Sequence, residues 1–306
     1  MTFLKIGARG SPLSLAQTGL AARELEALNP GLATEIVAIK TTGDRRRDVA
    51  LADIGGKGLF VKEIEEALLA GDIDLAVHSA KDLPAELPEG LGLGAVPERA
   101  DCRDVLISRH GHSLAELPQG AKVGTSGLRR QAQLLAARPD LRIAPIRGNV
   151  GTRLEKIQAE FEATILAASG LKRLGVSPPG AVVLEPEVML PAAGQGILAL
   201  EVRLADKRVL DIIAPLTHRP TALALAAERG FLARLGTGCQ LPVAALGVLA
   251  GGLMTLEGLI ASLDGQKLVR GQKVQTLDSP EEAAALGRSL AEELLARGGE
   301  DIMKAL

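Results

Sequence analysis

Short β-like runs alternate with amphipathic helical stretches through most of this chain, and that alternation restricts the fold more than any other feature. Leu4–Ala8 predicts a strand, and Ser11-Pro12 then supplies an N-cap and a first-turn proline for a helix running to about Leu28. Thr34–Lys40 and Leu75–His78 predict further strands. Between them the loop Gly55-Gly56-Lys57-Gly58 opens a helix over Leu59–Ala70, with Glu63, Glu65 and Glu66 marking its wet side. The rhythm restarts after Pro118: a strand at Lys122, a helix from Leu128, a strand at Leu141–Ile146, a helix from Val150 and a strand at Thr164–Ala168. Such a pattern predicts an α/β fold with two units of related architecture. After Pro220 the texture changes to an Ala/Leu-rich helix, a β-hairpin around Gly251-Gly252 and a strand at Leu268–Val274. A closing helix begins at Ser279-Pro280-Glu281-Glu282 and stops at Gly298-Gly299, so a small α+β domain is expected here.

Composition removes several function classes. Apolar residues at 47% and charged residues at 24% exclude a mainly disordered chain. The net charge of −2 gives the whole molecule no electrostatic pull toward nucleic acid or anionic membrane. Four Phe with no Trp or Tyr cannot build a base-stacking platform. Only Cys102 and Cys239 are present, without C-x-x-C spacing, which argues against a disulfide framework or a zinc ribbon and fits the cytoplasm. No continuous apolar run of signal-peptide length opens the sequence. The 22 uncharged residues Leu235–Leu256 would span a bilayer on count alone, but Gln240, Pro242 and five Gly make a hairpin the better reading.

Charge is concentrated locally. Lys122, Arg129, Arg130, Arg138, Arg142, Arg147 and Arg153 face a single acid, Asp140, giving their segment a net charge of +6. Several sit where a Gly/Ser/Thr turn feeds a helix, in Gly124-Thr125-Ser126-Gly127 and Arg147-Gly148-Asn149. Free amides, a positive dipole end and guanidinium forks there form a site for carboxylate or phosphate. Arginine at a helix start opposes the macrodipole, so something negative must compensate. Arg9-Gly10-Ser11 and the loop around Lys57 repeat the arrangement in the first unit. Neither a Walker A loop nor G-x-G-x-x-G is present.

His78-Ser79-Ala80-Lys81-Asp82-Leu83-Pro84 ends a predicted strand, where ligands of α/β sheets gather. Asp82 either acts as a general acid or charge stabiliser or merely caps a turn. His78 reads as a packed strand residue. His110 and His112 read as a polar loop, and no third metal ligand lies at recognisable spacing, so no metal is expected. Cys239, between glycines, is either a covalent attachment point or a small buried hydrophobe; Cys102 has no such setting.

Seven segments together resemble the porphobilinogen deaminase (hydroxymethylbilane synthase) family. They are Arg9-Gly10-Ser11-Pro12-Leu13-Ser14-Leu15-Ala16-Gln17, Gly55 to Glu63, His78 to Pro84, Gly124 to Gln131, Arg147 to Leu154, Ala192-Ala193-Gly194-Gln195-Gly196 and Gly238-Cys239-Gln240-Leu241-Pro242, in the family's order. The resemblance implies three domains, the first two like the lobes of type II periplasmic binding proteins. Domain 1 would take residues 1–97 plus about 197–215, domain 2 residues 103–192, and domain 3 residues 219–306. It implies a transferase of tetrapyrrole biosynthesis that joins four porphobilinogens head to tail, releasing ammonia and giving hydroxymethylbilane. Its primer, a dipyrromethane cofactor, would be held by a thioether on Cys239. Asp82 then resembles the catalytic carboxylate. Lys81, Thr125, Ser126, Arg129, Arg130 and Arg147 resemble cofactor binders, Arg9, Ser11 and Arg153 substrate binders, and Lys57 a lid residue. The chain departs from relatives at Gly127, where many have Ser, and at Asp53, where some have Lys. A monomer binding porphobilinogen, without nucleic acid or membrane, is expected. The competing readings are a binding protein that captures a small dicarboxylate without chemistry and an RNA-binding protein using the +6 segment, the latter disfavoured by the missing aromatics.

Overall fold

The computed structural model describes residues 2–41, 61–84, 86–236 and 241–306. Asp53, Lys57 and Cys239 lie outside the described residues, as do the glycine loop before Leu59 and that helix's expected start. The elements run β1 (Thr2–Arg9), α1 (Pro12–Leu28), β2 (Leu32–Ile39), α2 (Lys62–Ala70), β3 (Leu75–Ser79) and β4 (Leu91–Ala95). Next come β5 (Asp104–Ser108), β6 (Lys122–Gly124), α3 (Leu128–Ala137), β7 (Arg142–Ala144), α4 (Val150–Ala159), β8 (Ala163–Ala167), α5 (Ala168–Arg173) and β9 (Val182–Leu184). The chain continues with β10 (Leu198–Arg203), α6 (Lys207–Ile213), α7 (Arg219–Arg234), β11 (Val243–Ala250), β12 (Leu253–Ala261), β13 (Leu268–Thr276), α8 (Pro280–Leu294) and α9 (Glu300–Lys304).

Two compact units result, Met1–Arg99 with Ile197–Ala222, and Ala100–Gly196 with Leu223–Leu306. The first carries a sheet of order β2-β1-β3-β10-β4, the second a sheet of order β7-β6-β8-β5-β9. Both follow one plan. Three strands run parallel, and a fourth-place strand, β10 or β5, runs antiparallel to both neighbours. That fourth-place strand comes from outside the helix–strand repeat: β5 precedes it, and β10 arrives only after the chain has passed through the second unit. Sequence patterning does not place β5 or β10, for a physical reason. Asp104–Ser108 is buried at every position and Leu198–Val202 likewise, so neither shows the two-residue alternation that marks a half-exposed strand.

The two faces of the first sheet differ. Leu4, Ile6, Leu75, Val77, Leu198 and Leu200 pack with Ala21 and Leu25 of α1. Ala76 on the opposite face packs with Ile64 and Leu68 of α2. The expectation that Glu65 lies on the wet side of α2 is overturned: it is 8% exposed, because its side chain enters that second face. Glu66, by contrast, is exposed.

The antiparallel sheet β11-β12-β13 completes the second unit. Its first hairpin turns at Gly251 and Gly252, with φ of 58° and 81°, the left-handed pair that a two-residue type I′ turn requires. The uncharged stretch is therefore hairpin from Val243 onward, and among the described residues no helix is long and apolar enough to cross a membrane. The closing helix extends past its expected stop: Gly298, at φ 107°, kinks the chain, which then resumes as α9. α7 and α8 cross closely at Gly230 and Gly287. A Cβ on Gly287 would collide with the Ala227 carbonyl and the Phe231 amide, both backbone and unable to yield. Gly287→Ala is expected to destabilise the protein by about 1–3 kcal/mol, the ordinary cost of overpacking, read as a shift in urea midpoint at unchanged m-value.

Candidate active site

In the first unit the parallel strands end at a pocket lined by Arg9, Ser11, Gln17, His78, Ser79 and Asp82. Its position follows from topology, since side chains beyond the carboxyl ends of β1 and β3 must converge there. Ser11 caps α1, its Oγ accepting from the Ser14 amide at 3.2 Å, and the Arg9 amide donates to Ser14 Oγ at 3.0 Å. Sequence reading assigned Ser11 both the cap and a substrate contact, and its cap role is the one with a partner here. Asp82 is the last residue of a single 3-10 turn, Ala80–Asp82, and its side chain is exposed; Lys81 beside it is half-buried. Gln17, which sequence reasoning quoted in a motif without giving it a role, is buried and donates to Ser79 Oγ at 2.8 Å, fastening α1 to the end of β3. Its signal was available: a glutamine on the buried face of an amphipathic helix must find a partner.

In the second unit the arginines meet an acid that sequence reasoning missed. Asp104, fully buried on β5, lies 2.7 Å from Arg129 Nη2 and 2.7 Å from Arg130 Nη2, and also accepts from Gln195 Nε2 at 3.1 Å. Arg129 donates as well to the Leu190 carbonyl at 2.7 Å. The compensating charge demanded by two arginines at a helix start is thus supplied by the chain itself. Burial alone would push the Asp104 carboxyl up; the two guanidinium groups outweigh it and hold the carboxyl well below the usual carboxylate range. Arg129 is pushed down by burial, with Asp104 opposing.

Around this pair the donors of an anion site remain. α3 has no side-chain cap, and the amides of Leu128 and Arg129 precede its first intrahelical acceptor. Thr125 Oγ1 accepts from the Gly127 amide at 3.2 Å. Ser126 Oγ donates to the Ile146 carbonyl at 2.9 Å, which ties the start of α3 to the loop carrying Arg147 but commits that hydroxyl's proton. Gly127 is not imposed by packing, since a Cβ there would meet only ordinary contacts at 3.8 and 4.0 Å. Asn149 caps α4 by accepting from the Thr152 amide at 2.9 Å. Arg153 donates to the Gly148 carbonyl at 2.9 Å and is pushed down by burial and by Arg130. Arg129 and Arg130 share the one carboxylate of Asp104, and Arg153 feels the positive charge of Arg130; the surplus of positive charge fits acidic arms such as those of a dipyrromethane. Arg173, also missed from sequence, is brought down to about 10 by burial and donates to the Gly196 carbonyl at 2.7 Å.

His110 and His112 form a loop around Gly111, at φ 73°, and among the described residues no cluster of His, Cys, Asp and Glu is arranged to hold a metal.

A family model described as "Porphobilinogen deaminase, dipyromethane cofactor binding domain" matches residues 4–211, and one described as "Porphobilinogen deaminase, C-terminal domain" matches 222–296. The chain belongs to the porphobilinogen deaminase family. Porphobilinogen deaminase of Syntrophotalea carbinolica is 53% identical, over 99% of this chain and 96% of that one; that of Geobacter metallireducens is 52% identical, over 98% and 93%. Among solved structures the methionine-binding protein MetQ is similar at a TM-score of 0.45 and 15% identity, covering 70% of this chain and 89% of that one. Membership in the porphobilinogen deaminase family makes the chain an enzyme and sets aside the reading of a binding protein without chemistry.

Proposed function

We propose that the pocket around Asp82 is where this enzyme condenses pyrroles, and that Cys239 carries its cofactor. The reaction is that of the family: four porphobilinogens are joined head to tail with release of ammonia, giving hydroxymethylbilane for tetrapyrrole biosynthesis. The observation that carries the site assignment is that an exposed carboxylate, Asp82, and a cation, Arg9, line one pocket at the strand ends.

Each addition breaks the C–N bond of an aminomethyl group and forms a C–C bond to a pyrrole α-carbon; ammonia leaves and that carbon gives up a proton. Positive charge builds on the ring as the amine departs, and Asp82 balances it while accepting hydrogen bonds from pyrrole N–H groups. Arg9, with Ser11 and Lys81, holds the carboxylate arms. In the second unit Arg130, Arg147 and Arg153, with Thr125, Ser126 and the open amides of α3, hold the acidic arms of the dipyrromethane and of the growing chain. Arg129 supports them from behind by sharing Asp104. Bound, the dipyrromethane supplies the α-carbon to which the first porphobilinogen is joined. Lys57 serves as a lid residue. The domain division is read as residues 1–97 with about 197–215, 103–192 and 219–306, consistent with one sheet in each. The scarce cysteines support a cytoplasmic location, and the near-zero net charge supports binding to neither nucleic acid nor membrane; the enzyme is read as a monomer.

Intact-mass measurement tests the attachment. The purified enzyme is expected to carry an adduct of two pyrrole units that maps to the peptide containing Cys239. An unmodified chain in fully active material would refute it.

A further inference from the structure

Gln195, in the run Ala192-Ala193-Gly194-Gln195-Gly196, is 1% exposed and reaches the carboxylate that anchors the arginine site. Its Nε2 donates to the Cys102 carbonyl at 2.7 Å and to Asp104 Oδ1 at 3.1 Å. One carboxamide nitrogen thus serves two acceptors, a pair of donations that neither an aliphatic side chain nor an ionised acid can make. The backbone that carries it is fixed on both sides. Gly194 and Gly196 adopt φ of 74° and 87°, conformations that suit glycine. The Gly194 amide donates to Glu228 Oε2 at 2.6 Å. The Gly196 carbonyl accepts from the Ala100 amide at 3.2 Å and from Arg173 Nη2 at 2.7 Å. A Cβ on Gly196 would strike the Ala100 carbonyl, so this segment and the one leading into β5 run backbone against backbone.

Such a fixed donor matters because of what surrounds Asp104. Oδ1 accepts from Arg130 Nε at 3.1 Å and from Arg130 Nη2 at 2.7 Å, while Oδ2 lies 2.7 Å from Arg129 Nη2. A carboxylate between two guanidinium groups can turn about its last, broad torsion and offer either oxygen to either arginine. The neutral carboxamide on Oδ1 selects one orientation. With that orientation set, Arg130 meets Asp104 along its Nε–Nη2 edge, and its Nη1 lies on the far side of the rigid planar fork.

We propose that Gln195 is a positioning residue: its carboxamide sets the Asp104 carboxylate, and through Asp104 it aims the Nη1 side of Arg130 at the acidic arms of the bound pyrrole chain. Buried as it is, Gln195 acts through Arg130 and not on a ligand directly. Supporting groups that lock a binding side chain in place decide how much of its interaction energy a ligand receives. The inference rests on the reading of Arg130 as a binder of those arms.

The test replaces the donor while keeping its bulk. In the holoenzyme, Gln195→Met is expected to raise KM for porphobilinogen about fivefold with kcat within about twofold, because aim at the acidic arms is lost and the chemistry at Asp82 is not. Gly287→Ala, which loosens the α7–α8 crossing, serves as the control for general loss of stability and is expected to leave KM unchanged. A KM that rises equally in both variants, or in neither, overturns the proposal. A second readout is independent of turnover. In 15N spectra the Arg130 Nε–H is expected to be sharp and slow to exchange in wild type and broadened in Gln195→Met; an unchanged signal overturns the proposal. If Gln195→Met does not fold, wild type alone decides. Its Gln195 carboxamide hydrogens are expected to exchange with deuterium at least about a hundredfold more slowly than those of a solvated glutamine, and solvent-like exchange overturns the proposal. Arg130→Lys separates the two readings: wild-type KM and a full two-pyrrole adduct in that variant would refute Arg130 as a binder, while leaving the dependence of the wild-type Arg130 Nε–H on Gln195 intact.

Discussion

Asp82→Asn is expected to fold, to bind porphobilinogen with nearly unchanged KM and to lose turnover by a factor of about a thousand. The magnitude follows from what the substitution removes. Asparagine keeps the volume and one acceptor oxygen, so hydrogen bonds from pyrrole N–H groups survive in part, but the full negative charge is gone. Removing one preorganised group aimed at developing charge costs about 3–4 kcal/mol of transition-state stabilisation. Stability should be nearly unaffected, because Asp82 is exposed and its turn is held by main-chain bonds, from the Ala80 amide to the Ile197 carbonyl and from the Leu83 amide to the Ala80 carbonyl. Single-turnover kinetics separate the outcomes. A slow first addition at unchanged binding supports the assignment, whereas wild-type kcat would show that Asp82 only caps a turn.

Much of this site is legible without coordinates, and the parts that are not share a cause. Turn and cap chemistry is local, so Ser11, Asn149 and the Gly251-Gly252 turn follow from a few neighbouring residues. Motif order singles out Asp82 and Arg9, which line one pocket. Asp104 escapes because its meaning depends on two arginines twenty-five and twenty-six residues later and on a strand inserted into a sheet from outside the local repeat. Glu65 escapes for a related reason. An acid between apolar helix positions reads as solvated, and only the register of β3 against β10, more than a hundred residues apart in sequence, reveals the buried imidazole and carboxylate that receive it. Local rules fail where distant segments meet, and that is where polar groups with a task tend to lie.

Asp104→Asn should damage the protein more than any other single polar change in the second unit. Its carboxylate is fully buried, and the Arg129 and Arg130 side chains that hold it are 8% and 12% exposed. Removing the charge leaves two guanidinium groups out of water with only neutral acceptors, chiefly the Leu190 carbonyl for Arg129. Breaking a buried pair from one side costs about 3–5 kcal/mol, and here one acid serves two bases, so the upper half of that range is expected in a urea titration. Acid behaviour supplies an independent check. A carboxyl held below the usual range contributes stability that is complete above its unfolded pKa and is lost only as pH falls through the depressed folded value. Wild type should therefore lose stability with acidification in a limb that Asp104→Asn lacks. Swapping Arg129 for Met in the variant removes one stranded cation and should recover part of the loss, since an unpaired charge and not a missing contact is what destabilises it. If Asp104→Asn cost less than about 1 kcal/mol, or if the arginine swap deepened the damage, the carboxylate would not be the anchor of the arginine site.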